Sequence, residues 1–168
     1  MADFDPIIKD SHVKYSGVFD AQLLYKKMDE WVKRAKFGKI REVKYVERVK
    51  PFGKIIDFSW ECNKSELGGY IGIELKIKFL IVGLTEVEVD QGGSKLKLNK
   101  ADLDVTFSSE LIRNADKNAG WNDKSVLRKL YERFIVKNQI EHFKIGLYKD
   151  TEKIIDETKN FLALYRFR

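Results

Sequence analysis

The sequence predicts an α+β fold in which an antiparallel sheet of about seven strands packs against one N-terminal helix and one long C-terminal helix. Three observations predict it. The segments Glu74 to Phe79, Glu86 to Asp90, Lys95 to Leu98 and Asp102 to Phe107 alternate apolar and charged residues, the pattern of strands with one buried face. An apolar stripe at helical spacing follows Asp20, and a second begins after Asp123 and runs almost to the end of the chain.

Residues 1–11 are expected as an N-terminal arm, ahead of a strand–helix–meander unit over 12–113 and a C-terminal helix over 123–165, all in a single domain. Val13 to Phe19 reads as a short strand. Asp20 suits a helix N-cap, because its carboxylate accepts from free amides of the first turn. Leu24, Met28, Trp31 and Ala35, flanked by Leu23 and Val32, form the buried stripe of that helix, and Gly38 ends it. Two strands follow, Arg41 to Lys50 and Ile55 to Asn63, joined at Pro51-Phe52-Gly53-Lys54. With Lys50 opposite Ile55, Arg48 meets Asp57 and Lys44 meets Glu61 on one face, while Tyr45 meets Trp60 and Val43 meets Cys62 on the other. Glu47 then points inward, opposite Phe58.

Gly68-Gly69 leads into the strand Tyr70 to Val82, and a turn near Gly83 opens the rest of the meander. Gln91-Gly92-Gly93-Ser94 is a hairpin whose glycines supply positive backbone angles, so that Asp90 faces Lys95, Val89 faces Leu96, Glu88 faces Lys97 and Val87 faces Leu98. A further turn at Asn99-Lys100 sets Lys97 opposite Asp102 and Lys95 opposite Asp104. Each exposed pair contributes about 0.2 to 1 kcal/mol, enough to help select register. Ile73, Leu75, Ile77, Phe79 and Ile81 share the inner face with Val87, Val89, Leu96, Leu98, Leu103, Val105 and Phe107. Asn114 to Asn122 is polar and reads as a loop. Asp123 caps the last helix, which as one unbroken element is about 60 Å long at about 1.5 Å per residue. Asn138 and Gly146 mark the region, 138–146, where it is expected to bend or break.

Strand, helix, six antiparallel strands and a long C-terminal helix is an order that resembles the helix-grip architecture of the START, Bet v 1 and polyketide-cyclase (SRPBCC) superfamily. The resemblance implies a curved seven-stranded sheet around the C-terminal helix and an apolar cavity between them. That superfamily usually has two short helices after its first strand, where one is evident here. Separately, Phe79-Leu80-Ile81-Val82-Gly83-Leu84-Thr85-Glu86-Val87-Glu88-Val89 followed by Lys95-Leu96-Lys97-Leu98-Asn99-Lys100 is similar to a family of small uncharacterised archaeal proteins, which implies no activity.

A chain of 168 residues with 43% hydrophobic content buries roughly 70% of the surface its unfolded form exposes, enough for one core. Its longest apolar run, Phe79 to Leu84, is far short of a membrane span. The N-terminal Met1-Ala2-Asp3-Phe4-Asp5-Pro6 is unlike a signal peptide, and Cys62 is the sole cysteine; both features predict an intracellular, cytoplasmic protein without disulfides. Net charge is +6, and the excess lies between Asp20 and Lys54, densest at Lys33, Arg34, Lys36, Lys39 and Arg41.

Catalytic and metal-binding vocabulary is thin. His12 and His142 lack metal-ligand spacing, no catalytic constellation is recognisable, and no cofactor is expected. A non-enzymatic binding protein is the leading expectation, with an apolar small molecule or partner segment held between sheet and C-terminal helix. Its candidate residues are Tyr45, Glu47, Phe58, Trp60, Cys62 and Ser109. An inward Glu47 beside aromatics is desolvated and driven towards neutrality unless paired, whereas a bulged or edge strand returns it to solvent. Two alternatives stand beside this. A homo-oligomeric structural subunit would be joined through Phe4, Arg166, Phe167 and Arg168. An RNA- or ribosome-associated accessory protein would use the basic cluster to hold phosphates, although cations are also favoured at a helix C-terminus by its dipole.

Overall fold

The computed structural model describes residues 2–115 and 126–166. Its elements are β1 (Asp3–Phe19), α1 (Ala21–Arg34), β2 (Lys39–Lys50), β3 (Gly53–Glu66), β4 (Ile71–Gln91), β5 (Ser94–Arg113), α2 (Val126–Tyr131) and α3 (Lys137–Arg166). The strands form one antiparallel sheet in the order β1-β5-β4-β3-β2. The fold is α+β, but with five strands rather than the seven expected.

Two turns that the sequence suggests are not turns. Gly83 lies inside β4, and Asn99-Lys100 lies inside β5, where both residues pair with β1 and β4. One extra residue of β4 between Val82 and Thr85 shifts its pairing with β5. Such a bulge reverses the facing of every later side chain in that strand. Ile71 through Ile81 face the core at every second residue, and after the bulge Leu84 does so. In β5, which has no bulge, Ala101, Leu103, Val105 and Phe107 face the core, so Leu96 and Leu98 face the opposite side. The apolar set of the hairpin therefore leaves the face to which it is assigned by parity. The Gly92-Gly93 turn itself forms as predicted, with Asp90 opposite Lys95 and Glu88 opposite Lys97, at φ 60° and 87°. Its ion pairs run diagonally, Lys97–Glu86 at 3.2 Å and Lys95–Glu88 at 3.8 Å.

The β2–β3 register differs from expectation by two residues from Lys44 to Lys50 and by three before the extra residue Val43, so Cys62 lies opposite Ile40 and not Val43. Lys50 lies opposite Gly53, Tyr45 opposite Phe58 and Glu47 opposite Ile56. The cause is a shorter turn: Gly53 takes φ +125°, which lets the chain reverse at Pro51-Phe52. A shift of two preserves the faces of Lys44 to Lys50; Lys44 finds a diagonal partner in Asp57 at 2.6 Å, and Arg41 pairs with Glu61 directly opposite it at 2.5 Å.

Both helices lie on the same face of the sheet. Asp20 accepts from the Leu23 amide at 3.0 Å as predicted, and Asn99 of β5 accepts from the Ala21 amide at 3.2 Å, which ties the start of α1 to the sheet. The helix ends at Arg34 with Ala35 as its C-cap, and Lys36, at φ +64°, turns the chain two residues before the predicted Gly38. Lys64 of β3 joins three elements: its ammonium donates to the Ala35 carbonyl at 3.0 Å, lies 3.4 Å from Asp150 of α3 and sits over the Phe37 ring. Leu147, Ile154, Ile155, Phe161 and Leu162 are the buried stripe of α3, and Trp31 of α1 meets Phe161 edge-on at 6.3 Å.

Residues 3–11, expected as an arm, belong to β1 and pair with β5; Pro6 and irregularities between Pro6 and Ser11 interrupt this edge. The C-terminal helix passes through Asn138 and Gly146 without a break. Its irregularity is a π-helical stretch, Glu132–Val136, between α2 and α3, with helical backbone angles at both junctions. The predicted cap Asp123 and most of the predicted loop lie outside the described residues. Among the described residues no helix is long and apolar enough to cross a membrane.

Gly53 packs against the bulge: a Cβ added there falls 2.7 Å from the Gly83 carbonyl carbon. Gly53→Ala is therefore expected to lower stability by about 1 to 3 kcal/mol, through strain and displacement of the bulge. Gly92→Ala, in open space, is expected to cost less; denaturant midpoints of the two variants make the comparison.

Candidate functional site

The open concavity of the core face is a groove of about 630 Å³ beside the N-terminal half of α1. Its floor is Ile56 and Phe58 of β3 with Phe79, Ile81 and Leu84 of β4. Leu84 reaches it only because of the bulge, since Ile81 and Leu84 are three residues apart and would face opposite ways in a regular strand. Ala21, Gln22, Tyr25 and Lys26 form one wall; Glu42, Tyr45 and Glu47 of the edge strand β2, with Lys54, form the other. Phe58 and Phe79 stack with centroids 4.3 Å apart and planes 9° apart, an arrangement contributing about 0.5 to 1.5 kcal/mol beyond area burial. Tyr25 lies edge-on to Trp60 at 5.0 Å and separates this groove from a smaller one of about 410 Å³.

The candidate residues divide. Tyr45, Glu47 and Phe58 line the large groove, while Trp60 lines the smaller one. Glu47 is on the core face as its parity predicts, but on an edge strand with no helix above it, and it is exposed. Lys54 pairs with it at 3.0 Å and the Tyr45 hydroxyl donates to it at 3.1 Å. The hydrogen bond from Lys54, then that from Tyr45, holds the Glu47 carboxyl below its ordinary range, opposite to the shift that desolvation would produce. Cys62 is fully buried, and burial, with a smaller effect of Asp29, pushes its thiol up to about 12. Ser109 is buried on β5, opposite Leu75 and Ile8, and is not among the residues lining the groove. The groove lies under α1 and not under the C-terminal helix, whose apolar stripe is packed against β1 and β5.

Three of the five basic candidates are engaged. Lys33 pairs with Asp29 at 2.7 Å, Arg34 with Glu157 at 3.2 Å and Arg41 with Glu61 at 2.5 Å, whereas Lys36 and Lys39 make no ion pair among the described residues. Phe4 is 58% exposed on β1, opposite Ile112, and Arg166 closes α3 near Tyr15. Phe167 and Arg168 lie outside the described residues.

Among the groove residues missed by sequence reasoning are Tyr25, Glu42 and Leu84. Tyr25 adjoins the buried stripe of α1 at Leu24, a boundary position where a ring half covers its neighbours. Glu42 and Leu84 carry no periodic signal, because each depends on a bulge.

A second polar cluster lies on the uncovered face. Glu74 and Glu110 are directly opposite across β4 and β5, with the Lys76 ammonium 3.3 Å and 3.7 Å from them. Burial, then the hydrogen bond to Glu110, raises the Glu74 pKa above its ordinary 4.5. The two carboxylates hold the Lys76 ammonium above its ordinary value although burial pulls the other way. His12 contacts Asp104 at 2.8 Å, and Ser16 donates to Asp102. The aspartates of β5 thus face β1, not the lysines of the hairpin. Among the described residues no three His, Cys, Asp or Glu side chains come together as a metal site.

No protein-family model matches the chain, and no curated protein matches it.

Two outcomes are expected. A carboxyl with a raised folded-state pKa binds its proton more tightly when folded, so stability falls as pH rises from the ordinary value of 4.5 through the raised one. Glu74→Gln should remove that falling segment, read from denaturant midpoints across the acidic to neutral range. Cys62, buried and held as a thiol, should react with an alkylating reagent only as fast as the chain opens, so added denaturant should accelerate labelling steeply.

Proposed function

We propose that this protein is a binding protein whose groove beside α1 receives a small molecule with an apolar body. The observation that carries the reading is the pairing of an apolar floor with a polar rim. Phe79 and Phe58 are nearly fully buried beneath the groove, while Glu42, Tyr45 and Glu47 stand exposed along its lip. Concave sites of roughly 300 to 1,000 Å³, mostly apolar and with a few placed polar groups, are the usual form of small-molecule sites.

Physical chemistry supports the same reading from the energetic side. Placing an apolar chain on Ile56 and Leu84, above the buried Ile81, removes from water surface that the fold leaves partly open, at roughly 25 cal/mol per Å². The Glu47–Lys54 pair and the Tyr45 hydroxyl are already satisfied by one another, so the rim offers these groups without an isolated charge to desolvate. The ion pairs of Lys33, Arg34 and Arg41 leave less free positive charge for a polyanion than the sequence suggests.

The test is to fill the groove. Ile56→Trp is expected to abolish uptake of an apolar fluorescent probe while leaving the circular dichroism spectrum unchanged and the denaturant midpoint close to that of the parent. Equal uptake by the variant and the parent would refute the reading.

A further inference from the structure

One carboxylate of the groove, Glu42, differs from the others in its surroundings. β2 carries an extra residue, Val43, between Glu42 opposite Trp60 and Lys44 opposite Ser59. In a regular strand Glu42 and Tyr45, three apart, would point to opposite faces; the bulge brings both to the core face. Glu42 lines the large groove and the smaller one on either side of Tyr25. Its charge is felt by both phenols: burial first, then Glu42, raises the Tyr25 pKa, and Glu42 adds to the larger effects of burial and Glu47 at Tyr45.

The other acids here are ion-paired, Asp29 with Lys33 at 2.7 Å and Glu47 with Lys54 at 3.0 Å. Glu42 makes no ion pair among the described residues. It is bordered by aromatic rings in mutual contact, Tyr25 with Phe58 at 5.7 Å and with Trp60 at 5.0 Å, and Tyr45 with Phe58 at 6.1 Å. Aromatic faces attract cations through their quadrupoles, and most strongly where water is thinned. A carboxylate adds direct Coulomb attraction. An anionic head would meet repulsion from Glu42 and from the same ring faces. Opposing this preference are two cations, Lys54, which is paired with Glu47, and Lys26, exposed on the α1 wall and, like Glu42, without an ion pair among the described residues.

We propose that the groove selects an amphiphilic organic cation, with its ammonium group held among Glu42, Tyr25 and Tyr45 and its apolar chain on Ile56, Ile81 and Leu84. This rests on the groove being a small-molecule site.

The test uses three probes of one chain length, octyltrimethylammonium, 1-octanol and octyl sulfate, titrated calorimetrically into the whole protein. The cation is expected to bind about tenfold more tightly than the alcohol, with the sulfate weakest. Glu42→Gln should bring the cation down to the level of the alcohol and leave the alcohol unchanged, which also shows that the groove of the variant is intact. Lys26→Gln should preserve the order. Equal binding of cation and alcohol, or tightest binding of the sulfate with its advantage lost in Lys26→Gln, overturns the cation preference and leaves the groove reading standing. Binding of none of the three overturns both.

Discussion

One surplus residue in β4 governs the architecture. The bulge at Gly83 lets a strand of 21 residues continue where alternation demands a turn, and it exchanges the two faces of the sheet beyond that point. Gly53 and Phe52 of the neighbouring turn close against it, so the β2–β3 connection and the bulge form a single contact. Leu84 is thereby delivered to the floor of the groove. Leu96 and Leu98 are delivered to the other side of the sheet.

The second device is the division of the core face between two helices. α3 covers β1 and β5, while Tyr25 of α1 reaches Phe58 and Trp60 of β3. Lys64 fastens the pair from below through Ala35 and Asp150. A face five strands wide exceeds what these helices cover, and the remainder lies over the edge strand β2. An uncovered core face must be polar or open, and here the edge strand presents Glu42, Tyr45 and Glu47 above an apolar floor.

Several charges on the opposite face are paired locally. Lys76 lies between two carboxylates, Arg41 pairs directly and Lys44 diagonally with carboxylates of β3, and the aspartates of β5 turn to His12 and Ser16. Individually such exposed pairs contribute about 0 to 1 kcal/mol. Their structural effect is to tie neighbouring strands together.

Much of this was legible in the amino-acid sequence by itself. Asp20 as a cap, the stripe of Leu24, Met28 and Trp31, the Gly92-Gly93 hairpin with its four residue pairs, and the core parity of Ile73 to Phe79 and of Leu103 to Phe107 all follow from local periodicity and turn chemistry. Glu47 also falls on the face its parity predicts. The number of strands did not follow, because a slip of parity at Leu98 and Ala101 has two causes, a turn or a bulge in the partner strand. Only the partner distinguishes them, and the partner is a tertiary fact. For the same reason Glu42 and Leu84 could not be assigned to the groove, and the environment of Glu47 was decided by its place at the edge of the sheet and by the reach of Lys54. Local sequence determined which faces are apolar and where the α1 and Gly92-Gly93 boundaries fall. The pairing of strands decided which side of the sheet those faces meet, since one unpaired residue inverts everything after it.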